Sequence, residues 1–127
     1  MEPSVALHTA PLSSATGLDP SWCPVEVTLG VIGGKWKALI VYNLRQGPAR
    51  FNVLRRLIPD VTQRMLTQHL RELEADGLIS RTVHAVVPPH VEYALTTLGH
   101  TLTPVLDAMA AWGFANAHLR TPRAEAA

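Results

Sequence analysis

The chain has 127 residues, one cysteine and a formal net charge of +1. That length suits one small domain with a modest core, and a single cysteine excludes an internal disulfide, in keeping with a reducing compartment. No apolar run approaches the roughly 20 residues of a membrane span. The N-terminus is not a secretory signal either, because it has Glu2, Pro3 and Pro11 and no early Lys or Arg, so a cytoplasmic protein is expected.

Charge is concentrated in one block. Residues 35–71 hold Lys35, Lys37, Arg45, Arg50, Arg55, Arg56, Arg64 and Arg71 against Asp60 alone, and both flanks are net acidic. A basic block between acidic flanks marks a local polyanion site. A membrane surface is not expected as partner, because no helix has a predominantly Lys/Arg polar face.

In chain order, residues 1–20 are rich in Pro, Ser, Thr, Ala and Gly and read as a flexible arm. Pro24 suits a first helical position, which puts Cys23 at or next to the N-cap of a short helix through Ile32. Gly33-Gly34 breaks it. A second helix is expected over Lys35 to Arg45, with Trp36, Leu39, Ile40 and Leu44 at core spacing. Gly47-Pro48 ends that helix. Ala49 to Phe51 reads as a very short strand, and Asn52 as the cap of a helix to Ile58 carrying Val53, Leu54 and Leu57.

The stretch from Thr62 to Asp76 is the most informative. At about 100° per residue, Leu66, Leu70 and Leu73 fall on one side of a helix. Gln63, Arg64, Thr67, Gln68 and Arg71 fall on the other. Thr62 can cap its start, and Asp76-Gly77 can end it. Amides, hydroxyls and guanidiniums are the groups that read base edges and hold phosphates. Helix, tight turn and second helix make a helix-turn-helix.

After Gly77 the period changes from helical to alternating. Leu78 to His84 and Val91 to Leu95 read as two strands of a hairpin, interrupted by Pro88-Pro89. Thr96 then caps a long helix over about 97–118, with Leu98, Leu102, Val105, Leu106, Met109 and Trp112 as its stripe and a kink at Pro104. The expected fold is mainly α with a small β-hairpin wing (α+β): a winged helix-turn-helix domain over 21–118, with a flexible tail at 119–127.

WCPVEVTLGVIGGKW, RFNVLRRLIP, MLTQHLRELEADGLISR and VPPHVEYALTTLG follow one another over about residues 22–115. This series resembles the HxlR-type transcription regulators, relatives of the MarR group. The resemblance implies a homodimer on double-stranded operator DNA, controlling stress or detoxification genes, with repression the expected sign. It puts Thr62, Gln63, Arg64, Thr67, Gln68 and Arg71 at the major groove, Arg81 and His90 in the wing, and Lys35 and Arg50 against phosphates. Dimer contacts are expected from Trp22, Leu102, Leu106, Met109 and Trp112, through the N-terminal and C-terminal helices.

Arg55 and Arg56 have two readings, phosphate contact or pairing with Glu72 or Glu74, and Lys37 reads as a solvated helix residue. Cys23 also has two readings. At a helix N-terminus the dipole favours the reactive thiolate, and the resembled family includes sensors of oxidants and electrophiles. The other reading is a small inert capping residue. His8, His69, His84, His90, His100 and His118 show no metal spacing such as H-x-x-x-H on a helix, so neither metal nor cofactor is expected. The competing functions are a winged-helix module that binds protein rather than DNA, and a thiol enzyme. The first needs an apolar or acidic outer helix face, and the second a base beside Cys23.

Overall fold

The computed structural model describes residues 21–120, so the arm expected over 1–20 and positions 121–127 of the expected tail lie outside it. The chain divides after Val31 into two units. In the first, helix α1 (Pro24–Ile32) begins at Pro24, whose missing N–H costs nothing in a first turn. The Glu26 N–H donates to the Cys23 carbonyl at 2.9 Å. Val25, Val27 and Leu29 on this helix are all more than half exposed.

The second unit contains α2 (Lys35–Leu44), β1 (Ala49–Arg50), α3 (Phe51–Leu57), α4 (Gln63–Ala75), β2 (Ile79–His84), β3 (His90–Leu95), α5 (Thr97–His100), α6 (Thr103–Ala115) and a 3-10 turn over Ala117–Leu119. Its core joins Ile40, Val41 and Leu44 of α2 and Leu54 of α3 to Leu66, Leu70 and Leu73 of α4. Ile79, Leu95 and Leu106 extend that core into the sheet and the last helix. Burying each such side chain is worth about 1.5–3 kcal/mol. This is the mainly helical winged helix-turn-helix expected. Among the described residues no helix is long and apolar enough to cross a membrane.

The sheet has three antiparallel strands in the order β1-β3-β2. The hairpin pairs Ile79 with Leu95 at its base and His84 with His90 at its tip. Beyond the expected hairpin, β1 adds to β3, with Ala49 opposite Tyr93 and Arg50 opposite Glu92. The two residues before α3 are thereby tied to the wing.

Two local expectations are corrected. Asn52 is not the cap of α3, because the helix starts two residues earlier than such a cap implies, at Phe51 after an extended Arg50. The long last helix is broken rather than kinked: α5 stops at His100 and α6 starts at Thr103, with Pro104 in its first turn. Pro104 has no N–H for the carbonyl of His100, four residues back. The Thr103 hydroxyl donates to that carbonyl instead, at 2.8 Å, and the Thr101 hydroxyl serves Leu98 at 2.5 Å. The Thr103 hydroxyl thus replaces the lost backbone donor, whereas the Leu98 carbonyl also keeps the Thr101 N–H at 3.0 Å.

A candidate nucleic-acid interface on α4 and the wing

Both ends of α4 are closed by its own sequence. The Thr62 hydroxyl accepts the Met65 N–H at 3.1 Å. At the other end Gly77 takes φ of +80°. This lets the Leu78 N–H reach the Leu73 carbonyl at 3.0 Å and the Gly77 N–H reach Glu74, also at 3.0 Å. That double closure is a Schellman motif, which favours glycine at the left-handed position. Leu66, Leu70 and Leu73 are each no more than 1% exposed, so the rotation of α4 is fixed by burial.

That rotation turns Gln63, Arg64, Gln68 and Arg71 fully outward, with Thr67 half-buried. Together with Glu72 they line one open depression of about 710 Å³ along the helix. Arg81 of β2 joins them, sharing a smaller cleft with Thr67, Leu70, Arg71, Glu74 and Tyr93. Six of the residues expected at DNA are therefore gathered on one surface.

The remaining four are placed differently. Thr62 is spent on the helix cap. Lys35 lies at the start of α2 with its ammonium 4.8 Å from the Trp36 ring centre. Arg50 and His90 share a sheet face with Glu92, because opposite residues and every second residue of a strand point the same way. Arg81 lies on the other face.

The Lys37 ammonium, read from sequence as solvated, reaches across to α4 and pairs with Glu72 at 2.8 Å. The Gln68 amide donates to the same carboxylate at 3.2 Å. The Lys37 hydrogen bond, followed by that from Gln68, holds the Glu72 carboxyl below the ordinary carboxylate range. Of the two readings of Arg55 and Arg56, the pairing with Glu72 gives way to this contact. Both arginines are exposed at the end of α3, and no ion pair reaches them among the described residues. The spacing of Lys37 could not announce this contact, which depends on how α2 crosses α4.

Of the residues expected at a dimer contact, Trp112 is 63% exposed and Met109 53%, whereas Leu106 is 3% exposed within the single chain. Leu102 and Trp22 are half-buried. Cys23 is exposed.

One group escaped the sequence reading. His84, His90 and Glu92 each offer a ligand atom, and these atoms lie within 4.8 Å of one another. A search for helical spacing cannot find them, because they meet across a hairpin. The signal that could have done so is their symmetry about Val87, which places His84 opposite His90.

Comparison with known proteins places these residues in a family. The model of the HxlR-like helix-turn-helix family matches residues 31–120. The chain is 56% identical over 94 residues to the HTH-type transcriptional regulator YybR of Bacillus subtilis (strain 168), covering 74% of this chain and 75% of that protein. An HTH-type transcriptional regulator of Methanothermobacter thermautotrophicus is 53% identical over 97 residues, covering 76% of this chain and 74% of that one. Among solved structures, the redox regulator HypR in its oxidised form is similar at a TM-score of 0.72 and 54% identity, covering 79% of this chain and all (100%) of that one. The reduced form of the regulator YodB from B. subtilis is similar at 0.64 and 36% identity, over 72% of this chain and 91% of that one.

Proposed function

This chain belongs to the HxlR-like helix-turn-helix family of transcriptional regulators, and on that premise we propose that it is a homodimeric repressor reading operator DNA with α4. The observation that carries the proposal is the outward row of Gln63, Arg64, Thr67, Gln68 and Arg71, held by a leucine face with no freedom to turn. In the bound state two copies of α4 enter major grooves one helical turn apart, roughly 34 Å. Arg64 and Gln68 read base edges. Arg71, Arg81, Lys35 and Arg50 hold the backbone, and the His90 end of the wing lies beside it. Occupancy excludes polymerase from stress or detoxification genes.

The test is fluorescence anisotropy on the DNA upstream of the chain's own gene and on random DNA, across a salt series. Native protein is expected to bind the upstream DNA tightly and lose affinity steeply with salt, because phosphate contacts release counterions. Arg64→Ala is expected to lose about 1–3 kcal/mol on the specific site and less on random DNA. Equal loss on both would remove Arg64 from base reading. Salt-independent or absent binding would favour a protein-binding module.

A second reading concerns Cys23. The residue is exposed just before α1, and the chain is similar to HypR, a redox regulator with oxidised and reduced structures. In this reading an oxidant such as diamide takes two electrons and two protons from the Cys23 thiols of two protomers. A disulfide forms between them, the diamide leaves as its hydrazine, and the spacing of the two α4 helices changes. Native protein should run as a covalent dimer without reductant and change DNA affinity, while Cys23→Ser does neither. Unchanged affinity of the oxidised native protein would make Cys23 structural.

A further inference from the structure

We propose that the outer end of the wing is a binding site for a divalent transition cation of the Zn²⁺ class, held by His84, His90 and Glu92. His84 ends β2, His90 begins β3, and the two face each other across the last rung of the ladder. Opposed residues in an antiparallel pair have Cβ atoms about 4.5–5.5 Å apart, and here the rings stack with centroids 4.6 Å apart. Glu92 lies two residues beyond His90, on the same face and diagonal to His84. Its Oε1 is already 3.0 Å from His84 Nε2.

The donor set suits a borderline cation. Two neutral imidazoles and one carboxylate form a three-ligand set of the kind that binds zinc while leaving a fourth position for water. Hard cations such as Mg²⁺ prefer an all-oxygen shell. In a tetrahedral site the donor atoms are roughly 3.3 Å apart, given metal–ligand bonds near 2.0 Å. The donor atoms here lie within 4.8 Å, so closure needs about 1.5 Å of movement. Side-chain torsions supply it, because the side chains of His84 and Glu92 are only partly buried, 38% and 35% exposed, and their present contacts are with the other members of the same set.

The surroundings set the competition. Arg50 faces Glu92 from β1 on the same sheet face, a cation that competes for the carboxylate. No other described acid or base on β2 or β3 shares this face, since Arg81 lies on the opposite one. Once bound, the ion ties the two strands together where the ladder gives way to the bend at 85–89. It also adds positive charge at the distal end of the wing.

The alternative is a plain His84–Glu92 hydrogen bond that braces the hairpin, and cation binding separates the two. Isothermal titration with ZnCl₂ is done on the full-length chain carrying Cys23→Ser, which removes the thiol as a zinc ligand. One Zn²⁺ per chain is expected, with Mg²⁺ giving no heat. His84→Gln, His90→Gln and Glu92→Gln should each weaken that site about tenfold or more, the scale on which metal sites respond to losing their supporting groups, while His100→Gln leaves it unchanged. Far-UV circular dichroism of each variant shows that the loss is not unfolding. In the same protein Co²⁺ should give the intense visible absorption of a four-coordinate site, absent from Glu92→Gln. No Zn²⁺ uptake, or uptake indifferent to all three substitutions, overturns the proposal. Whether the wing touches DNA does not enter this measurement, so its outcome is separable from that of the DNA-binding proposal.

Discussion

Helices α4 and α6 have the same length, 13 residues each, and opposite degrees of completion. Helix α4 buries three leucines, closes both ends with its own residues and shows the solvent a polar row. Helix α6 buries Leu106 and leaves Val105, Met109, Trp112 and Phe114 exposed. Its apolar surface continues over the second unit as shallow depressions lined by Leu39, Tyr42, Met109 and Phe114. One helix is finished by its own chain, whereas the other has apolar surface still to cover, of the kind that marks an interaction site. In the proposed dimer a second copy supplies that cover.

Truncating the finished helix gives the largest effect. Leu70 is 1% exposed beneath the outward row, so Leu70→Ala is expected to cost about 2–5 kcal/mol through lost burial and a cavity. Urea denaturation reads this directly, and DNA binding falls with the folded fraction. A loss under about 1 kcal/mol would mean that the site collapses to fill the space, leaving α4 less rigidly held than its burial implies.

The unfinished helix should respond the other way. Trp112→Glu places a charge on a surface 63% open in the single chain, so the fold should survive. Self-association should weaken at least about tenfold, equivalent to about 1.4 kcal/mol, because a buried unpaired carboxylate is costly. Sedimentation velocity across a concentration series distinguishes the outcomes. A variant that still dimerises like the native chain would remove α6 from the interface.

The same contrast explains what was readable. For α4 the residues that settle its placement are near in sequence: Thr62 before the first turn, leucines at helical spacing, Asp76-Gly77 after the last. Capping and periodicity are local, so the element was legible to within a residue of each end. Pro104 is plain in the sequence, but whether it kinks or breaks a helix depends in part on the Thr103 hydroxyl reaching the carbonyl that Pro104 cannot serve. The addition of β1 to β3, the reach of Lys37 to Glu72 and the meeting of His84 with His90 are all tertiary. Each depends on crossing or register rather than on spacing along one element. For the outward row the residue types were legible, but the tying of Gln68 to Glu72 was not.

A smaller effect tests the cap itself. Thr62→Ala removes the acceptor for the Met65 N–H and is expected to cost about 1 kcal/mol. Thr62→Asp should restore most of that, since a carboxylate also accepts the N–H and favours the positive end of the helix. If alanine and aspartate are equally stable, the turn holds α4 without the cap.

The smallest effect belongs to the half-buried pair of Lys37 and Glu72 beside the outward row. Glu72 is held below the ordinary carboxylate range, first by the Lys37 hydrogen bond and then by that of Gln68. A depressed carboxyl contributes stability that is complete above its unfolded value and disappears only as pH falls through the folded one. The stability difference between native protein and Glu72→Gln should therefore stay flat from about pH 8 to about pH 6, and close only at more acidic pH. At neutral pH the variant also frees the Lys37 ammonium and removes a negative charge from the row proposed to face DNA. Affinity for random DNA should then rise slightly and its salt slope steepen, while the upstream site gains less because Gln68 loses its anchor. Urea midpoints at several pH values give the first quantity, and anisotropy on both DNAs gives the second. A gap that opens as the solution is acidified would mean that the pair does not hold Glu72 ionised. An unchanged salt slope would place Glu72 outside the DNA-facing surface.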